Sequence, residues 1–474
     1  MDYTKNLIRF VILITFLLFA ISIISSYSKF KWKPVNSINI IADVIKADTP
    51  TLVLAETSVD TTSKFNTPAV VVDSIQVNDT LQNKTNNDTL RTEVVHTVFQ
   101  NFSEPNRITD FQQDPSGIVL KRFINKLIEL KNGQRKKIRI AYLGDSMIEG
   151  DLITQTLRKL LQQTFGGYGI GFMPMSSLYG ADRNYANTSY SNWQESNFIA
   201  NKNGKKLFLS GRCFEANGYA YTQIKDKTAP STSILEKHLL FGNTLGTTTV
   251  TVNGKPVTIQ SANIMNDTIL ESSAGNALRF EVVNANNLYG FSLESPFGII
   301  LDNFSFRGIS GHEYGRMDTA FLSAIAKTHS YDLIVMQYGV NMFVKPTDSE
   351  FNWFFGPFTK SIYKLKAAFK DADVLLVSSA DKAFRYDDSY KTAIGLRNLL
   401  TFQQRVAYST GSAFYNTYAS MGGEGSMVRW VNSNPPLAYK DYTHLTPKGA
   451  DIIGKSIYDA ILFEYNKAVQ NSSN

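Results

Sequence analysis

The chain has 474 residues, 43% of them hydrophobic and 12% aromatic, enough to bury more than one core. Its formal net charge is +7 with no compact Lys/Arg block, so a mixed-sign solvated surface is expected and nucleic-acid binding is not. The single cysteine, Cys213, excludes an intramolecular disulfide, and no Cys/His cluster has zinc-ligand spacing, so neither a metal nor an organic cofactor is expected.

At the N-terminus, Phe10–Ser26 is apolar and uncharged and follows Lys5 and Arg9. Its length is at the lower limit for a bilayer span, and no Ala-x-Ala cleavage site follows. Residues 1–28 therefore read as an N-terminal membrane anchor or signal, an uncleaved anchor being favoured. Lys29, Lys31 and Lys33 rival the charge before the segment, so charge alone does not orient it. Residues 29–115, rich in Asp, Asn, Thr, Ser and Val, read as a disordered polar linker. An exported body on the periplasmic side of the cell envelope, anchored or secreted, fits both segments.

The body opens over residues 116–190 with an expected helix Ile118–Leu130, a strand Lys137–Leu143, a helix Leu152–Phe165 and a Gly-rich turn. Residues 191–297 change character: Lys206–Ser210, Thr247–Val252 and Leu278–Val283 alternate in strand fashion, and Asn253-Gly254 is a strong hairpin signal. This span is expected to be an inserted β-sandwich. Strand–helix alternation resumes over 298–466. Strands are expected at Gly298–Phe306, Asp332–Gln337, Val374–Ser378 and Ser412–Tyr415, and helices at Met317–Thr328, Phe358–Phe369, Thr392–Tyr408 and Lys448–Tyr465, with a tail at 467–474. Continuous apolar strands separated by helices imply an α/β class, a parallel sheet covered on both faces in three α/β/α layers.

Chemistry concentrates at strand ends. Gly144-Asp145-Ser146 closes the first strand where the chain turns into a helical pattern, a place for a nucleophile at the rim of an open sheet. Alone, Ser146 reads equally well as a helix N-cap with Asp145 as a first-turn acid. Asp441 and His444, directly before the last helix, supply an orienting acid and a base, so Ser146, Asp441 and His444 together form a nucleophilic set. Oxyanion donors are sought in Gly339-Val340-Asn341 and in Arg307-Gly308-Ile309-Ser310-Gly311, with Gly308 competing with Gly311. Glu149 and Asp151 read as acids favouring a helix dipole. His312, Trp193, Trp353 and Trp430 read as packing residues before ligand contacts, and Cys213 as a small core residue.

Ser146, Gly311, Asn341 and His444 appear in the order and setting of the SGNH, or GDSL-type, hydrolases, which the chain resembles over about 118–190 and 298–465. The resemblance implies Ser146 as nucleophile, His444 as base, Asp441 as its acid, and Ser146, Gly311 and Asn341 as the oxyanion hole. Met147 stands where the longer GDSL form has leucine. GDSMIEGDLITQTLRKLL followed by FGGYGIGF is similar to the opening of the peptidoglycan O-acetylesterase branch, whose members carry a β-sandwich similar to a carbohydrate-binding module at the position of the insert. The implied activity is removal of O-acetyl groups from a cell-wall glycan such as peptidoglycan. An O-acetyltransferase served by a membrane acetyl-donor partner is the alternative, and a non-catalytic glycan-binding scaffold a second one.

Overall fold

The structure is a computed structural model that describes residues 104–473 except 113, 178–183 and 202–203. The apolar segment Phe10–Ser26 and most of the 29–115 linker lie outside the described residues. Among the described residues, no helix is long and apolar enough to cross a membrane.

Six strands form one sheet in the order Ile108–Thr109, Ala413–Tyr415, Asp373–Val377, Leu333–Gln337, Lys137–Gly144 and Gly298–Ser305. All neighbours run parallel except the short edge strand at Ile108, which is antiparallel. Alternation along the central strand sorts its side chains between two apolar layers. Ile140 and Tyr142 pack with helices Lys121–Lys131, Thr154–Phe165 and Pro447–Ser473, whereas Ala141 and Leu143 pack with Thr319–Thr328, Phe355–Ala368 and Leu396–Thr410. Each fully buried Leu or Ile contributes roughly 1.5–3 kcal/mol, which is why strands covered on both faces carry unbroken apolar runs.

Several boundaries move from their expected places for visible reasons. The first helix starts at Lys121 because Leu120 takes a left-handed φ of 55°, and the second starts at Thr154 because Ile153 has a φ of 64°. The linker ends earlier than residue 115: Ile108 pairs with Tyr415 and Phe111 is buried in the core. The supposed tail continues the last helix to Ser473. A hairpin, Ala383–Tyr386 with Ser389–Thr392, stands where a helix was expected to begin.

The span between the neighbouring parallel strands Lys137–Gly144 and Gly298–Ser305 holds a nine-stranded sheet whose pairings are antiparallel. Its spine, Ala277–Glu294, pairs first with Arg212–Asp226 and then with Ile234–Phe241, changing partners across register shifts near Val283–Leu288. Asn253 and Gly254 form the expected tight turn, with φ of 48° and 82°. The sheet starts before residue 191, since Ala186–Ser191 is a strand and Gly171–Met173 pairs with Phe291–Leu293. Lys206–Ser210 is not a strand: Leu207, Phe208 and Leu209 are buried in succession and enter a shared core. Phe208 there stacks on Phe172 and Tyr289 at 5.6 Å each and meets Phe304 of the parallel sheet edge-on at 5.7 Å.

Candidate active site

The first parallel strand carries Gly144 to the sheet's carboxyl edge, where its backbone aligns with Ser305 on one side and Gln337 on the other. Asp145 follows and accepts a hydrogen bond from the Met147 amide at 2.9 Å, capping a 3-10 turn over Ser146–Asp151. This corrects two expectations. Ser146 does not open an α-helix, and the capping side chain is that of Asp145. The turn presents Ser146 to an open cavity of about 590 Å³, whose wall also includes His444, Asp441, Tyr439, Arg307 and Glu149.

Ser146 Oγ lies 2.8 Å from His444 Nε2, and His444 Nδ1 lies 2.7 Å from Asp441 Oδ2. The other Asp441 oxygen accepts the backbone amides of Thr443 and His444, both at 3.0 Å. Burial pushes the Asp441 carboxyl up, but the bonds from the His444 ring and from these amides outweigh it and hold the group at about 2. Asp441 is therefore an anion wherever the imidazole is neutral, and it directs the Nδ1 proton toward itself, leaving Nε2 to receive a proton from Ser146. The loop is closed behind His444 by the Tyr439 amide, which donates to the His444 carbonyl at 2.8 Å, and Pro447 starts the last helix.

Gly311 and Asn341 do not line this cavity; they lie on the loops that leave the strands flanking Gly144. Asn341 Nδ2 donates to the Ile309 carbonyl at 2.9 Å, tying the two loops together with one of its two N–H bonds. Gly311 is left-handed at φ 86°, and a Cβ there would approach Phe358 and Tyr338 to 2.5 and 2.6 Å. Gly308 has nothing within 4 Å of such a Cβ, so steric demand distinguishes Gly311 from its competitor.

Other residues singled out in the sequence have structural partners. Glu149 pairs with Arg307 across the cavity rim (Nε 2.9 Å), and Asp151 holds the buried Arg158 at 2.6 and 2.8 Å, so neither serves a helix dipole. His312 packs against Phe354, Trp193 donates to Thr222 within the β-rich sheet, and Trp353 stacks on Phe354 with two thirds of its surface exposed. Trp430 packs part-buried against the core. Cys213 is buried, and burial pushes its thiol up to about 12, far from a nucleophile.

Three groups near Ser146 have roles the sequence did not reveal: Tyr439 and Lys382 carried no signal, and Asp145 read only as a first-turn acid. Tyr439 lines the cavity with about half its surface exposed. Asp145 is fully buried; that burial raises its carboxyl to about 7, against the pull of the Met147 amide, His444 and Lys382. Lys382 Nζ reaches the Val340 carbonyl at 3.0 Å. Among the described residues, Glu236, His238 and Glu294 converge closely enough to suit a cation, but Lys137 Nζ already bridges the two carboxylates at 2.8 and 2.6 Å.

No protein-family model matches the chain, and no curated protein matches it. Among solved structures, that of a peptidoglycan O-acetylesterase covers 77% of this chain and 99% of its own at 21% identity, with a TM-score of 0.62. A lipase/acylhydrolase from Enterococcus faecalis covers 34% and 74% at 14% identity (TM-score 0.24). A family-two carbohydrate esterase from Clostridium thermocellum, in complex with cellohexaose, covers 56% and 97% at 10% identity (TM-score 0.25). The last two superpose too loosely to carry an argument. The chain resembles the SGNH-type hydrolases as its sequence blocks imply, and its fold is that of the peptidoglycan O-acetylesterase structure.

Proposed function

We propose that the protein is a serine esterase that removes O-acetyl groups from a cell-wall glycan, with peptidoglycan as the first candidate. The observation that carries this reading is the unbroken chain Ser146 Oγ–His444–Asp441, at 2.8 and 2.7 Å, in the wall of an open cavity. In this reading Ser146 attacks the acetyl carbonyl as Nε2 takes its proton. The backbone N–H groups of Ser146 and Gly311 and the second N–H of Asn341 receive the oxyanion, and His444 returns the proton to the departing sugar hydroxyl. Water then resolves the acyl-enzyme by the same steps in reverse roles. Tyr439, which lines the same cavity, is in this reading the ring on which a pyranose stacks. The β-rich insert is read as a carbohydrate-binding-like sandwich, and the N-terminal segment as a tether or signal that keeps the body on the periplasmic side of the envelope. The test is acetate release from O-acetylated peptidoglycan by the full chain beside Ser146→Ala. Release by the parent alone supports the esterase. Ser146-dependent transfer of acetyl to an added acceptor glycan, in place of release, turns the reading to the acetyltransferase.

A further inference from the structure

Three consecutive residues after the strand Asp373–Val377 connect the separate parts of the site. Asp381, fully buried, accepts the Met427 amide at 2.7 Å and the hydroxyls of Thr392 and Ser426 at 3.2 Å each. Lys382 Nζ donates to the carbonyls of Val340 at 3.0 Å and Phe343 at 3.4 Å, on either side of Asn341. The Ala383 amide donates to the Tyr442 carbonyl at 3.0 Å, inside the Asp441–His444 loop. Tyr442 is held at a left-handed φ of 54° and stacks in parallel on Tyr390 of the adjoining hairpin, ring centres 3.7 Å apart. A non-glycine residue in that conformation persists only where its surroundings dictate it.

The Lys382 ammonium is also the cation that the site's acids share. Burial lowers its pKa against the attraction of Asp145, Asp441 and Asp348, and both Asp145 and Asp348 are in turn acted on by it. Asp145 Oδ2 has no hydrogen-bond partner among the described residues; the Met147 amide, then His444 and Lys382, favour the anion against its burial.

We propose that Lys382 is a positioning residue: its ammonium pins the Asn341 turn through the Val340 and Phe343 carbonyls, while the Ala383 amide beside it holds the Asp441–His444 loop at Tyr442. The proposal rests on the serine-esterase reading and deepens it. Lys382 touches no reacting atom; it sets the spacing between the oxyanion donors and the base.

The test is the rate at which a fluorophosphonate labels Ser146 in the full chain, measured for the parent, Lys382→Met, Lys382→Gln and Lys382→Arg. Labelling needs the nucleophile, base and oxyanion donors but no glycan. The expected result is a loss of roughly 10- to 100-fold in Lys382→Met, the scale of a small misplacement of reacting groups. Lys382→Arg, which keeps a cation able to reach the two carbonyls, should restore most of the rate. Lys382→Gln gives the same reading if Lys382→Met does not fold. Parent-like labelling by a folded Lys382→Met overturns the proposal, as does a slowing that arginine does not relieve. If the parent itself is not labelled at Ser146, the esterase reading falls and the proposal with it.

Discussion

Two groups of buried charge sit at opposite ends of the same parallel strand, and they are treated differently. Where the insert meets the body, the groups answer one another: Glu294 accepts from Lys137 at 2.6 Å and from Arg139, Asp267 bridges His238 and His329 at 2.6 Å each, and Asp302 accepts from Tyr331 at 2.7 Å. At the carboxyl end, Asp145 keeps one oxygen without a partner among the described residues, and Lys382 leans on carbonyls. The first arrangement answers each charge with a partner; the second leaves a buried carboxyl only partly satisfied next to Ser146. Incomplete satisfaction of a buried polar group is costly, so it persists where function compensates.

Variants can break or sharpen that contrast. The largest effect is expected at the reactive end: Ser146→Ala and His444→Ala should each lower kcat on the order of 10⁴-fold or more, with unchanged melting behaviour, measured by acetate release and calorimetry. At the seam, Glu294→Ala leaves Lys137 and Arg139 without their buried partner and should lower unfolding free energy by about 3–5 kcal/mol in denaturant titration. A smaller loss there would mean the seam is no tighter than the active end.

The pH dependence of stability separates the two ends further. Asp145 ionises in the unfolded chain near its ordinary value but only at about 7 when folded. The folded state therefore holds the extra proton between roughly pH 4 and 7, and stability falls as pH rises through that window by up to about 1.4 kcal/mol per unit. Asp145→Asn, which can still cap Met147, should flatten that slope. His238 is opposed by its burial but held protonated by Asp267 and Glu294, so its folded pKa is raised. Its contribution is present below the ordinary histidine value and is lost above it, so the seam's decline begins where that of Asp145 ends. The smallest effect is expected at the rim: Tyr439→Ala should raise KM for the glycan several-fold, about 1 kcal/mol, and leave small aryl acetates unaffected.

The contrast also explains what was legible in the sequence. Ser146, Asp441 and His444 could be read because each lies beside a local landmark, a strand end or a helix start, and the three-residue spacing of Asp441 and His444 lets one loop form their bond. The buried strands and the Asn253-Gly254 turn were legible for the same reason: their signals are local. Lys382 was not, since its role follows from three loops meeting at one sheet edge. The helix starts at Lys121 and Thr154 were missed because nothing in the identities of Leu120 or Ile153 advertises a positive φ. Lys206–Ser210 misled because its apolar residues fill a shared core in succession, with no sheet to alternate across.

That shared core has an engineering consequence. Phe172, Phe208 and Tyr289 from the β-rich span and Phe304 from the parallel sheet form one aromatic cluster. The span is thus no portable cassette. Cutting at 191 and 297 strands Gly171–Met173 without the strand it pairs with and opens a void against Phe304, so a chimera must carry the cluster whole, from residue 171 to residue 304.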